Sequence, residues 1–239
     1  MKKIKFIMTL VLVATLMSCN DEPNNYSIKR DPVDLGLSVK WAPMNIGAAT
    51  PQAMGALYGW SDSLGIHQPN NKEYPIEVKW DNDGITTVTW NSPYFGGKTP
   101  LANISGTDYD IARYMWNSDW RVPTKAEWQE LIDKCSWELV NNMEGATGPV
   151  YKVTGPSGNH ILISLGGINT NGDSEERGVI GHYWTSELLP LSEQASYNYS
   201  STVACAAWSV LINPHAEPHI KMEPQVRNFA LSFRAVYAK

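Results

Sequence analysis

The chain has 239 residues, enough for one large domain or two small ones. Hydrophobic residues make up 43% and charged residues 18%, which excludes a charge-rich disordered polymer. The formal charge is −5, with no basic run outside the first five residues, and this argues against a nucleic-acid partner, for which clustered Lys and Arg must replace counterions. Ten Trp and eleven Tyr stand out, because aromatic rings fill cores but also make binding surfaces for sugars and proteins.

Lys2, Lys3 and Lys5 form a basic start, and an apolar stretch runs from Ile4 through Leu16. That layout predicts a signal peptide over 1–18, since the stretch is short of the ~20 apolar residues a membrane span needs. Its end, Leu16-Met17-Ser18-Cys19, resembles the lipobox of bacterial lipoproteins. The resemblance implies cleavage before Cys19, lipidation of its thiol and a membrane anchor of more than one acyl chain, which holds far better than a single chain. Removal of 1–18 takes away three lysines and no acid, so the charge moves from −5 to −8. Asn20-Asp21-Glu22 resembles the acidic signal that sends lipoproteins to the outer face of the outer membrane, which is the expected location, facing the cell exterior. Residues 19–32 read as lipidated Cys plus a polar, Pro-punctuated tether, and 33–239 as one domain.

Val33 through Trp41 alternates apolar and polar residues, predicting a half-buried strand, and Leu57–Trp60 a short extended piece. Residues 62–103 form a long decorated loop region. Within it Val78–Trp80 and Ile85–Trp90 flank the turn sequence Asp81-Asn82-Asp83-Gly84, a hairpin signal. Thr107 or Asp108 is the expected cap of a helix carrying Ile111, Ala112, Met115 and Trp116 at helical spacing. Thr124-Lys125-Ala126-Glu127 matches a capping box, opening a second helix whose apolar face is Trp128, Leu131, Ile132 and Cys135. Strands are then expected at Val150–Val153, Ile161–Leu165, Tyr183–Ser186, Ala204–Ile212 and Phe229–Tyr237, with a turn at Gly155-Pro156-Ser157-Gly158-Asn159. One strand, two helices and a run of strands predict one α+β domain with an antiparallel, loop-rich sheet region.

For Cys135 and Cys205, a disulfide and two buried thiols both fit the sequence of an exported chain. No CxxC or HExxH spacing appears, so no metal is assigned. Pro214 and Pro218 put His215 and His219 in a loop rather than on a helical metal face. Asp81-Asn82-Asp83-Gly84 lacks the Glu of an EF-hand, and Gly97-Lys98-Thr99 lacks the first Gly of a phosphate loop. There is no GxSxG elbow and no close acid pair for glycoside hydrolysis, so no catalytic residue and no cofactor are assigned.

An ordered series of segments resembles the FISUMP (major paralogous) domain family of secreted bacterial proteins. It runs from Val33-Asp34-Leu35-Gly36-Leu37-Ser38-Val39-Lys40-Trp41-Ala42 through Tyr58-Gly59-Trp60-Ser61 and Thr107-Asp108-Tyr109-Asp110-Ile111-Ala112. It continues with Trp120-Arg121-Val122-Pro123-Thr124-Lys125-Ala126-Glu127-Trp128 and Gly181-His182-Tyr183-Trp184-Thr185-Ser186, and ends at Arg234-Ala235-Val236-Tyr237. The resemblance implies a C-type-lectin-like domain, similar in fold to the formylglycine-generating enzymes. Those enzymes use a cysteine pair near the C-terminus, where this chain offers Cys205 alone, so that activity ranks third and the chain is expected not to be an enzyme. The leading expectation is a surface lipoprotein acting as a binding or adhesion module for glycans or cell-surface proteins. The alternative is a structural or tip subunit of a fimbria-like assembly. Trp80, Trp90, Tyr94 and Phe95 of the long loop region are the candidate binding residues, with Tyr197 and Tyr199 in a second polar stretch; burial against the scaffold is the competing reading of the loop aromatics.

Overall fold

The computed structural model describes residues 29–62, 76–81, 84–90, 101–170, 174–199, 204–227 and 229–238. Its first alternating segment is not one strand. Val33 makes an isolated antiparallel bridge to Trp41, and the ladder strand β1 runs Trp41–Asn45. Between them Gly36 turns the chain at φ +78°, in the left-handed region that favours glycine, with its N–H donated to Asp34 Oδ1. Leu35, Leu37 and Val39 therefore owe their alternation to packing on the core rather than to a sheet ladder.

Strand β2 (Tyr58–Gly59) is followed by β3 (Ile76–Asp81) and β4 (Gly84–Trp90), an antiparallel hairpin with Asp81 opposite Gly84, as the turn sequence predicts. Helix α1 spans Ile111–Met115 and is capped by Asp110, not by Thr107 or Asp108. Asp110 wins because its carboxylate reaches four backbone N–H groups. Oδ1 accepts from Ala112 and Arg113, and Oδ2 from Gly106 and Val122. Thr107 instead donates its hydroxyl back to the Ile104 carbonyl at 2.7 Å.

Strand β5 (Trp120–Arg121) leads into α2 (Lys125–Lys134), whose capping box is closed: Glu127 N–H donates to Thr124 Oγ1 and Thr124 N–H to Glu127 Oε2. Strands β6 (Ser136–Val140), β7 (Val150–Thr154) and β8 (His160–Ser164) make a three-stranded meander. Its second turn holds Gly158 at φ +85°, and Gly155 lies so close to the Leu35 carbonyl that a Cβ there would overlap it. Next come β9 (Ile168–Asn169), β10 (Ser174–Glu175) and β11 (Gly181–Leu188). The short α3 (Leu191–Gln194) runs into a 3-10 turn at Ala195–Tyr197. The chain closes with β12 (Ala206–Ile212), β13 (Ile220–Val226), β14 (Ala230–Leu231) and β15 (Arg234–Tyr237). His215 and His219 lie in the loop between β12 and β13.

The remaining sheets have the orders β1-β15-β5, β10-β9-β14-β2 and β11-β12-β13, and every pairing between named strands is antiparallel. The architecture is mixed α+β, dominated by small sheets. No helix among the described residues is long and apolar enough to cross a membrane.

Strand β11 separates two cores. Alternation along it sends Tyr183 to a cluster with Trp41, Trp128, Leu131 and Val210, and Trp184 to a cluster with Trp60, Ile104, Ile111 and Phe233. A buried polar knot pins the strands together. Asn45 Nδ2 lies within 2.9–3.0 Å of three acceptors, the Met54 carbonyl, Ser164 Oγ and Tyr183 Oη, which share its two hydrogens. Arg234, fully buried, donates to the Ala42 and Leu162 carbonyls. Burial lowers its pKa to about 10, so the guanidinium is held charged by carbonyl oxygens at neutral pH.

Candidate functional site

The long region 62–103 leaves and returns at one place. At its start Trp60 donates its indole N–H to the Thr185 carbonyl at 2.9 Å, and Trp184 returns the contact by donating to the Tyr58 carbonyl at 3.0 Å. At its end Asn103 bridges Glu187, Leu188 N–H donates to the Ala102 carbonyl, and Ile104 N–H donates to the Ser186 carbonyl. Both roots are thus stitched to the last four residues of β11, so a rigid strand presents whatever the insertion carries. Of the four aromatic residues singled out there, Trp80 sits opposite Ile85 and Trp90 opposite Ile76 in the β3–β4 ladder. Tyr94 and Phe95 lie outside the described residues, as does Cys19.

Beside these roots stands a platform that sequence reasoning found only in part. The Lys125 ammonium lies 3.1 Å from the centroid of the Trp208 ring. Tyr197 meets the same indole edge-on, with centroids 5.6 Å apart and planes at 84°. Trp208 is buried, while Tyr197 is 43% and neighbouring Leu191 44% exposed. Lys125 is set by the helix cap: its backbone N–H donates to Glu187 Oε2 at 2.8 Å, so the carboxylate at the insertion root also fixes the start of α2. Tyr199 is half-buried, donates its hydroxyl to the Pro224 carbonyl at 3.1 Å and is pushed up to about 12, chiefly by burial. Tyr197 is thus the accessible ring of the pair flagged in the sequence. Lys125 and Trp208 escaped notice because their meeting joins a helix start to a strand more than eighty residues later.

Cys205 gives both its N–H and its thiol to Gln194 Oε1, at 3.2 and 3.1 Å, and accepts the Arg227 N–H at its carbonyl. The Arg227 guanidinium lies 5.2 Å from the Trp60 ring centroid. Arg121 grips Glu127 with both guanidinium nitrogens, a bidentate pair of the stronger kind. Burial pushes Glu127 up, but Arg121 and the Thr124 N–H pull it further down, leaving it below the ordinary carboxylate range. Asp110 goes the other way: burial raises it more than its four N–H donors lower it. His182, buried on β11, is lowered by burial and faces Glu176 Oε2 at 3.4 Å. Among the described residues no three His, Cys, Asp or Glu side chains gather as a metal-holding group.

The disulfide alternative does not hold: Cys135 and Cys205 are not bonded to each other. Cys135 ends α2 against the core that holds Tyr183 and Trp128, while the Cys205 thiol is directed at Gln194. The class defined by these observations is an antiparallel, sheet-rich α+β domain with a long insertion rooted beside an aromatic and cationic platform. No family model, no curated protein and no solved structure matches the chain.

Proposed function

We propose that the chain is an exported lipoprotein, anchored through Cys19 on the outer face of an outer membrane, whose domain is a non-catalytic binding or adhesion module of C-type-lectin-like, FISUMP-like build. The observation that carries the reading is the common rooting of both ends of the 62–103 region on Thr185–Leu188, next to Lys125, Trp208 and Tyr197. A long, aromatic-bearing segment held by a rigid strand is how scaffolded binding surfaces are built. Tyr197 offers an exposed ring and Lys125 a cation, with an exposed leucine on the adjoining α3, which suit sugar faces or a protein patch rather than bond-breaking chemistry.

The test is a glycan-array assay on residues 20–239, with and without calcium. Saturable binding to one glycan class, weakened by Trp80→Ala or Trp90→Ala, supports a sugar ligand seated on the insertion. Silence across the array directs the reading to a protein ligand, to be sought by crosslinking on intact cells. If neither a glycan nor a surface protein is captured, the binding-module reading fails.

A further inference from the structure

We infer that the end of α1, around Tyr114, Met115 and Trp116, is a membrane-facing foot that rests on the lipid headgroup surface when the chain is anchored. This rests on the proposed lipid anchor at Cys19 but adds an orientation that the anchor alone does not supply.

Tyr114 is 58% and Met115 44% exposed, at consecutive positions in the last turn of α1. Trp116, the C-cap, is half-buried and continues into an edge-on stack of aromatic rings. Trp116 meets Trp120 at 5.2 Å, and Trp120 meets Tyr237 at 5.3 Å. Trp120 is buried in the core, so the exposed Tyr114 and Met115 form a small ledge backed through Trp116 by packed rings, with the amphipathic ring chemistry enriched where protein meets headgroups.

The tether says what covers it. The described chain begins at Lys29, and the Arg30 guanidinium lies over the Trp116 ring, 4.9 Å from its centroid. The link to the lipid thus departs from this ledge. Arg30 is eleven residues on from Cys19, a reach of at most about 40 Å at full extension. A leash that short keeps this end of the domain at high local concentration near the bilayer. Charge works in the same direction. The mature chain carries −8, so an anionic surface repels most of the domain; at the ledge Arg30 and Arg113 are set against Asp108 and Asp119, and Lys29 is shared with Asp31, which leaves this end less acidic than the rest.

The experiment compares the full lipidated protein on phosphatidylethanolamine/phosphatidylglycerol vesicles with its unlipidated Cys19→Ser form in solution, by hydrogen exchange. The expected result is slower exchange over residues 111–117 on vesicles, with no change in the exposed 213–219 loop. The unlipidated form is also expected to partition weakly onto the same vesicles, about five-fold less after Tyr114→Ser with Met115→Ser. Both substituted side chains are exposed, and circular dichroism checks that the fold is kept. Unchanged exchange over 111–117 in a protein that is anchored overturns the foot while leaving the anchor intact. Equal protection in solution, lost when residues 20–28 are deleted, also overturns it, because the tether then covers the ledge. If Cys19 proves not to be acylated, the anchor reading fails by itself, and the partition of the unlipidated form still decides the foot: no partition, or none sensitive to the two substitutions, overturns it.

Discussion

Lys125 and Trp208 meet as ammonium over ring, 3.1 Å from the centroid, and this contact joins the start of α2 to β12, the central strand of the β11-β12-β13 sheet, at the root of the long insertion. Removing the charge with Lys125→Met keeps most of the stem that covers the indole. Cation–π attraction runs from about 0.5–1 kcal/mol at exposed sites to about 2 kcal/mol when desolvated, so this contact on a buried ring is worth about 1–2 kcal/mol. Urea unfolding of Lys125→Met is expected to show a loss of that size, and a change near zero means the pair does not hold the two elements together.

Asp110 ties four backbone amides from three segments to one carboxylate. In Asp110→Asn one of the two oxygens becomes an N–H₂ donor facing amide donors. Leaving buried N–H groups unsatisfied costs roughly 1–3 kcal/mol each, so the variant is expected to lose about 2 kcal/mol or more by thermal or urea unfolding.

Acid stability has two opposed contributions. Glu127 is held below its unfolded pKa, so its stabilisation is present above the unfolded value and disappears as pH falls through the folded one. Asp110 is raised, so in its window the folded state binds the extra proton and its contribution grows as pH falls. Stability measured from pH 7 down to about 3 is expected to fall less steeply in Glu127→Gln than in the wild type, and more steeply in Asp110→Asn.

Because Cys135 and Cys205 are not bonded to each other, reductant is expected to leave the melting temperature of residues 20–239 unchanged. A fall of several degrees on adding dithiothreitol, the scale expected when a disulfide worth ~2–4 kcal/mol is cut, contradicts this arrangement.

Local signals were the legible ones. Thr124 and Glu127 lie three residues apart and satisfy each other, so the second helix could be read without knowing its neighbours. The hairpin at Asp81–Gly84 and the turn at Gly155–Asn159 are likewise set by short-range backbone chemistry. Tertiary contacts overrode local pattern elsewhere. The cap of α1 passed to Asp110 because Val122, twelve residues on, supplies a donor. The 33–41 alternation reflects packing against Trp128 and Tyr151 rather than a ladder. Strand β13 went unread because Pro224 breaks the pattern; as an edge strand it tolerates a residue with no N–H to donate. The platform was half legible: Tyr197 stood out in a polar stretch, whereas nothing local in Lys125 or Trp208 announces the other.

Ligand binding at the insertion root is decided by a titration of surface variants. With a glycan or surface protein identified for residues 20–239, Tyr197→Ala and Lys125→Met are expected each to weaken binding about tenfold, in the range of anchor residues, with the fold intact by circular dichroism. Undiminished affinity in both variants would contradict the account and place recognition elsewhere on the domain.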